Sequence, residues 1–209
     1  MSRDVRQLHP WLQYKIGLLK KECAKKGLRL GIGECFRTVA EQDALYAKGR
    51  TKPGRRVTNA RGKDYNSQHQ FGIAVDVFQN IKGKEYDAAF LRKVAKIAKS
   101  KKVGLAWGGD WKSFVDTPHF YLGKWGSTTR QLKAKYGLPD NFKREWRKRV
   151  VGTKKGLNIW NKAHTKVLIK KVPNGRGIDI MYTKLFPWGR MAKVKYKNTV
   201  GWMRSKYLK

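Results

Sequence analysis

Two short stretches carry the reactive side chains of this sequence: Ser-Gln-His-Gln-Phe-Gly-Ile-Ala-Val-Asp over positions 67–76, and Asp-Thr-Pro-His-Phe over positions 116–120. Together they supply two imidazoles, His69 and His119, and two carboxylates, Asp76 and Asp116. Two histidines and one carboxylate make a three-ligand set for zinc that leaves the fourth tetrahedral position to water, which separates a catalytic zinc from a structural one. Asp116 stands three residues before the second histidine, where a carboxylate can take that water's proton.

The spacing dictates how the chain must run. His69 and Asp76 are an odd interval apart, so on one uninterrupted strand they would point to opposite faces. A bend between them is required, and Gly72 is its natural place because glycine tolerates the conformations a bend needs. After it, Ile73, Val75 and Val77 alternate with Ala74 and Asp76, the period of a half-buried strand. Asp76 then shares a face with small residues, which leaves room above the strand. Pro118 biases Thr117 toward extended backbone, and His119 opens the apolar run Phe120, Tyr121, Leu122, expected as a neighbouring strand that brings in the second histidine at its end.

The string S-x-H-x-x-G-x-A-x-D joined to D-x-P-H-F resembles the zinc D,D-peptidase family, which includes the vancomycin-resistance D-Ala-D-Ala peptidases and the phage L-alanyl-D-glutamate endolysins. The likeness continues through Glu34, Cys35, Phe36, Arg37, Thr38, Gln42, Leu45 and Tyr46 and through the W-G-G-D-W turn at 107–111, and it covers roughly residues 1–135. It implies that His69, Asp76 and His119 hold Zn2+, that Asp116 is the general base, that Arg37 points into the active site to stabilise an oxyanion, and that Gln42 helps bind substrate. Ser67, two residues before a ligand, is a candidate for hydrogen-bonding the substrate or orienting the site. Locally, Thr38 and Glu41 form a capping box, which fixes Arg37 just ahead of a helix start.

The remaining elements follow from pattern. Leu8, Leu12, Ile16, Leu19 and Cys23 fall at helical spacing and stop at Gly27; residues 28–32 alternate as a strand; Asp87 caps a helix whose stripe is Phe90, Val94 and Ile97. Helices and short strands in this order predict an α+β domain with a small antiparallel sheet over residues 1–138. A basic segment at 139–152 is expected as a linker or short helix. Beyond it, five short runs separated by Gly, Pro and Asn turns predict a small all-β barrel over 153–209. Its opening G-L-N-I-W and closing G-W-M-R-S-K-Y-L resemble bacterial SH3-like cell-wall domains, although Asn161-Lys162-Ala163-His164 replaces the usual R-S-G-P. Trp160, Tyr182, Trp188, Trp202 and Tyr207 are available either for a binding groove or for the barrel core. Neither His9, before Pro10, nor His164, in a turn, has the context of a metal ligand.

The 209 residues carry 49 Lys and Arg against 14 Asp and Glu, a formal charge of +35. Such a balance points to a polyanionic partner: nucleic acid, an anionic membrane, or a wall rich in anionic polymers. No zinc finger or basic zipper accompanies it, so specific nucleic-acid reading is not expected. The N-terminus is polar, so no signal peptide is expected. The chain is also expected to lack a membrane span. Cys23 and Cys35 lack metal or redox spacing and are expected as free, packed thiols. The expectation is therefore a monomeric endolysin, made in a host cytoplasm and delivered by holin-type release to peptidoglycan and its anionic polymers. The alternatives are a D,D-carboxypeptidase or dipeptidase of the same family and a catalytically inactive wall-binding protein.

Overall fold

The computed structural model describes residues 2–123, 129–150, 153–163 and 167–209, with Arg149 described by its backbone alone. His164 and residues 151–152 of the expected linker lie outside the described residues. The chain divides into two compact units, Met1–Phe142 and Lys143–Lys209.

In the first unit the opening helix α1 spans Pro10–Ala24. His9 caps it by accepting the Trp11 N–H on Nδ1 at 3.1 Å, and Pro10 takes the first helical position, where a missing N–H costs nothing. Its stripe Leu12, Ile16, Leu19 and Cys23 is buried, each aliphatic side chain contributing about 1.5–3 kcal/mol of transfer free energy. Helix α2 (Val39–Ala47) starts on the expected capping box, with Thr38 and Glu41 bonding reciprocally. Helix α3 (Ala88–Ala98) is capped by Asp87, which accepts the Phe90 N–H at 2.6 Å, and it buries Phe90, Leu91, Val94 and Ala98. Two shorter helices, α4 (Thr129–Tyr136) and α5 (Pro139–Arg144), follow.

Four short strands make the sheet: β1 (Leu30–Ile32), β2 (Ala74–Gln79), β3 (Ala106–Trp107) and β4 (His119–Tyr121), antiparallel in the order β1-β2-β4-β3. Helices α1 and α3 pack on each other, α1 against β1 and α3 against β2 and β3. The central pair is β2 and β4, and its register sets Asp76 opposite His119.

The second unit is all β apart from its two ends. It holds β5 (Arg147–Arg149), β6 (Leu157–Trp160), β7 (Leu168–Val172), β8 (Gly177–Phe186), β9 (Gly189–Tyr196) and β10 (Thr199–Arg204), antiparallel in the order β5-β8-β9-β10-β6-β7. Val150, Leu157, Ile159, Val172, Ile178, Ala192, Val194 and Met203 form its core, with Tyr207 packed against them. The expected five strands become six, because Arg147–Arg149, read as linker or helix, pairs with β8. Among the described residues the pairings leave an open sheet with β5 and β7 at its edges rather than a closed ring. Leu168 through Lys171 are exposed, so β7 buries only Val172. At the other end of the basic segment, residues 139–142 pack with the first unit: Phe142 is buried and stacks on His9, with ring centroids 5.5 Å apart. Among the described residues no helix is long and apolar enough to cross a membrane.

Candidate metal centre and active-site cleft

His69 lies not on a strand but in a single 3-10 turn, Gln68–Phe71, closed by Gly72 in the left-handed conformation at φ 65°. That glycine is the bend the odd His69–Asp76 interval required. Ser67 opens the turn, its N–H donating to Gln70 Oε1 at 3.4 Å, and Gln70 Nε2 donates to the Gly62 carbonyl at 2.8 Å. The turn is thus tied to the preceding loop, and Ser67, Gln68, His69 and Gln70 are all buried.

The three expected ligands converge. His69 Nε2 lies 3.3 Å from Asp76 Oδ1, His119 Nδ1 lies 3.2 Å from the same oxygen, and the two ring nitrogens are 3.1 Å apart. The outer ring nitrogens decide what these inner atoms are. His69 Nδ1 is 2.7 Å from the Cys35 carbonyl, an acceptor only, and must donate to it. His119 Nε2 is 2.8 Å from Gln68 Oε1 and donates likewise. In the neutral rings this leaves bare lone pairs on His69 Nε2 and His119 Nδ1, facing each other and a carboxylate oxygen. Three electron-rich atoms at such separations repel unless a cation lies between them, so the donor set fits a metal ion. Burial alone would raise the Asp76 carboxyl, but the charge and hydrogen bonds that His69 and His119 offer when protonated outweigh it and hold the group well below the usual carboxylate range.

Asp116 sits on the loop entering β4. Its N–H donates to the Gly108 carbonyl at 3.1 Å and its carbonyl accepts from the His119 N–H at 3.2 Å, so the loop is stitched to the W-G-G-D-W turn and to a ligand. A Cβ on Gly108 would stand 2.6 Å from the Asp116 carbonyl oxygen, so only glycine permits this approach. Trp107 Nε1 holds the same loop by donating to the Thr117 carbonyl at 2.7 Å. Burial pushes the Asp116 carboxyl above its ordinary value; Asp76 adds to this, while His119, His69 and Arg37 pull against it.

Arg37 is buried and pinned. Its Nε and one terminal nitrogen donate to the two Glu34 oxygens at 2.7 and 2.6 Å, and the other terminal nitrogen donates to Gln42 Oε1 at 2.6 Å. Each terminal nitrogen keeps one further N–H. Gln42 is fully buried, its Nε2 donating to Thr58 Oγ1 at 3.1 Å and to the Ala60 carbonyl at 2.7 Å, so it reaches the site by orienting Arg37. Glu34, Arg37, Asp76 and Asp116 all line one cleft of about 1020 Å³.

Sequence reasoning missed Gln68, Glu34 as a partner of Arg37, and the Cys35 carbonyl. Gln68 had a local signal, since the residue beside a ligand in a buried turn has few places to send an amide. The Cys35 contact had none, because a backbone carbonyl carries no residue type. The cysteines themselves are free and buried, and burial pushes their thiols up, Cys23 to about 11 and Cys35 to about 12. Neither is a nucleophile at neutral pH.

A family model described as D-alanyl-D-alanine carboxypeptidase matches residues 60–122, which contain all three candidate ligands and Asp116. The peptidoglycan L-alanyl-D-glutamate endopeptidase CwlK of Bacillus subtilis (strain 168) is 43% identical over 126 residues, spanning 55% of this chain and 73% of CwlK. The L-alanyl-D-glutamate peptidase of Listeria phage A118 is 35% identical over 106 residues, 49% of this chain and 34% of that protein. Among solved structures, the Serratia marcescens L-Ala D-Glu endopeptidase ChiX matches at 26% identity with a TM-score of 0.44, over 61% of this chain and 86% of that one. At 43% identity over 73% of CwlK, the chain belongs to the peptidase M15 family, a family of metallopeptidases.

Proposed function

We propose that this chain is a zinc-dependent peptidoglycan endopeptidase that hydrolyses the L-alanyl-D-glutamate bond of the stem peptide. The observation that carries the reading is the triangle of bare donor atoms on His69, Asp76 and His119, with edges of 3.1–3.3 Å. Tetrahedral bonds of about 2.0 Å, the usual length to zinc, separate donors by about 3.3 Å, and two imidazoles with one carboxylate are a zinc-type set. The bond assignment is supported by the names of CwlK and the Listeria phage peptidase.

Zinc bound there supplies a Lewis acid and lowers the pKa of a coordinated water to roughly 7. The chain does the rest. Cys35 and Gln68 fix both imidazoles so that their lone pairs face inward. Asp116, with its carboxyl raised by burial, accepts the proton of the attacking water and returns it to the leaving amine. Arg37 directs its two remaining N–H groups at the charge developing on the carbonyl oxygen, and Glu34 and Gln42 hold it in place. Ser67 acts by starting the turn that carries His69.

The family model's own description favours a second reading, removal of a terminal D-alanine. Mass spectrometry of digested peptidoglycan separates the two. The endopeptidase leaves L-Ala on the muramic acid and a new free amino group on D-Glu. Free D-Ala as the main product would replace this reading with the carboxypeptidase.

We infer a wall-binding role for residues 153–209 as an SH3-like module, with 1–138 as the peptidase and 139–152 as the connection. Support comes from a cluster of partly exposed rings: Phe186 stacks on Trp188 at 5.0 Å and meets Trp202 edge-on at 5.7 Å, and Tyr182 meets Trp202 at 5.4 Å. Lys193 lies over the Trp202 ring and Lys184 over Phe186, which gives the platform the charge that anionic wall polymers require. The protein then acts as a monomer at the wall after holin-type release. Trp188→Ala/Trp202→Ala should lose binding to purified walls in sedimentation while still cutting a soluble stem peptide. Equal wall binding by the variant would remove the platform from the proposal.

A further inference from the structure

The cleft beside the metal triad has a second chemical character that the hydrolytic step leaves unused. Val57, Tyr86 and Val115 line it while 44, 70 and 59% exposed, large apolar side chains left in water on the walls of one depression. Lys48, Arg55 and Arg56 line it too. Among the described residues none of these three cations forms an ion pair; of the four carboxylates lining the cleft, Glu34 is paired with Arg37 and Asp76 with the histidines, while Glu85 and Asp116 form no ion pair.

The loop that carries the cations is braced. Arg50 donates to the Tyr46 carbonyl at 2.7 Å, to the Thr58 carbonyl at 3.0 Å and to Asn59 Oδ1 at 3.1 Å, and its guanidinium lies 3.9 Å over the Tyr46 ring. Gly49, at φ 67°, lets the two limbs of the loop cross, since a Cβ there would stand 2.8 Å from both the Arg56 nitrogen and the Gly54 carbonyl oxygen. Arg56 Nε donates back to the Gly49 carbonyl at 3.3 Å. At the loop's far limb, Gln42 holds Thr58 and Ala60, the same glutamine that orients Arg37. Arg37 is held by Glu34 and Gln42, and its two remaining N–H groups are committed to the carbonyl oxygen in the proposed reaction, so a second substrate anion needs other cations. Lys48, Arg55 and Arg56 form no such ion pair among the described residues.

We propose that Lys48, Arg55 and Arg56 form the subsite for a free carboxylate of an acidic peptide substrate, borne on the carbon next to the scissile nitrogen, and so set a preference for an acidic residue on the amine side of the bond. This rests on the L-alanyl-D-glutamate reading, in which D-Glu joins the next residue through its side chain and keeps its α-carboxylate free. The apolar wall of Val57, Tyr86 and Val115 takes the aliphatic part of the same stem.

The test compares two tripeptides with the full-length, metal-loaded protein: one with D-Glu linked through its γ-carboxyl, and its counterpart in which the α-carboxylate is an amide. Wild type should cut the acid with kcat/KM about tenfold above the amide, as one charge-assisted contact allows, with the difference carried by KM and shrinking as salt rises. In Arg55→Gln/Arg56→Gln that ratio should fall toward one, and Lys48→Gln should lower it in part. Equal cutting of both peptides by wild type, or the same ratio in variant and wild type, overturns the subsite. Should wild type cut neither peptide at this bond, the functional reading fails on its own. Calorimetric titration of the two uncut peptides then reads the subsite directly: a preference for the acid that the double variant abolishes sustains it, and equal affinities overturn it.

Discussion

Asp76 and His119 stand directly opposite each other across the β2–β4 ladder, with His119 Nδ1 3.2 Å from Asp76 Oδ1. Two of the three candidate ligands are therefore fixed by sheet register alone. A slip of one residue would send either side chain to the other face. The third, His69, comes from a tight turn on the same chain segment as Asp76, so the triad depends on one strand pair and one glycine.

Metal content follows from this arrangement. The purified protein should bind one zinc per chain, and chelation should abolish hydrolysis, with activity returning on zinc addition. His69→Ala, Asp76→Ala and His119→Ala should each lose metal and activity together when metal content is measured by elemental analysis. Full activity in a metal-free preparation would defeat the zinc assignment.

Gln68 gives a sharper test, because its side-chain oxygen accepts the His119 Nε2 proton and so orients a candidate ligand. Gln68→Ala should weaken zinc affinity or activity by roughly 10–100-fold, the usual cost of losing an outer-shell partner. Gln68→Glu, which still accepts the Nε2 proton, should recover most of it. If both variants bind zinc as wild type does, the hydrogen bond at 2.8 Å does not orient the ligand.

The triad, the bend at Gly72 and the capped helices were legible because each rests on residue type at fixed spacing: Thr38 with Glu41, Asp87 before Phe90, the alternation from Ile73 to Val77. What the sequence left open depends on contacts between distant segments. Nothing local in Arg147, Lys148 and Arg149 marks a strand; they become one because β8 offers an edge to pair with. The His69–Asp76 interval predicts a bend but not its form; the side-chain and backbone bonds of Gln70 and Gly72 wind His69 into a 3-10 turn. The fate of Gln42 was hidden for the same reason, since its partners Thr58 and Ala60 lie across a loop whose path no periodicity describes.

Asp116→Asn separates proton transfer from metal binding. The amide keeps the size of the side chain, and the backbone bonds that set the loop, Asp116 N–H to Gly108 and His119 N–H to Asp116, do not involve the carboxyl. Zinc content should stay at one per chain while turnover on a stem peptide falls by at least about a hundredfold. Loss of zinc in this variant would make Asp116 a ligand instead of the base.

The cap of α1 should make stability depend on pH. His9 is buried, and burial holds its imidazole well below the ordinary value of 6.5. Its Nδ1 also accepts the Trp11 N–H, which a protonated ring cannot do. The unfolded chain takes up a proton near pH 6.5 that the folded chain refuses until lower pH. The associated stability is thus fully present above about 6.5 and is lost as pH falls from there through the folded value. Asn caps helices well and does not titrate in this range. Between pH 7.5 and 5.5 the melting temperature of wild type should therefore fall more steeply than that of His9→Asn. Parallel curves for the two proteins would mean that His9 protonation is not coupled to folding.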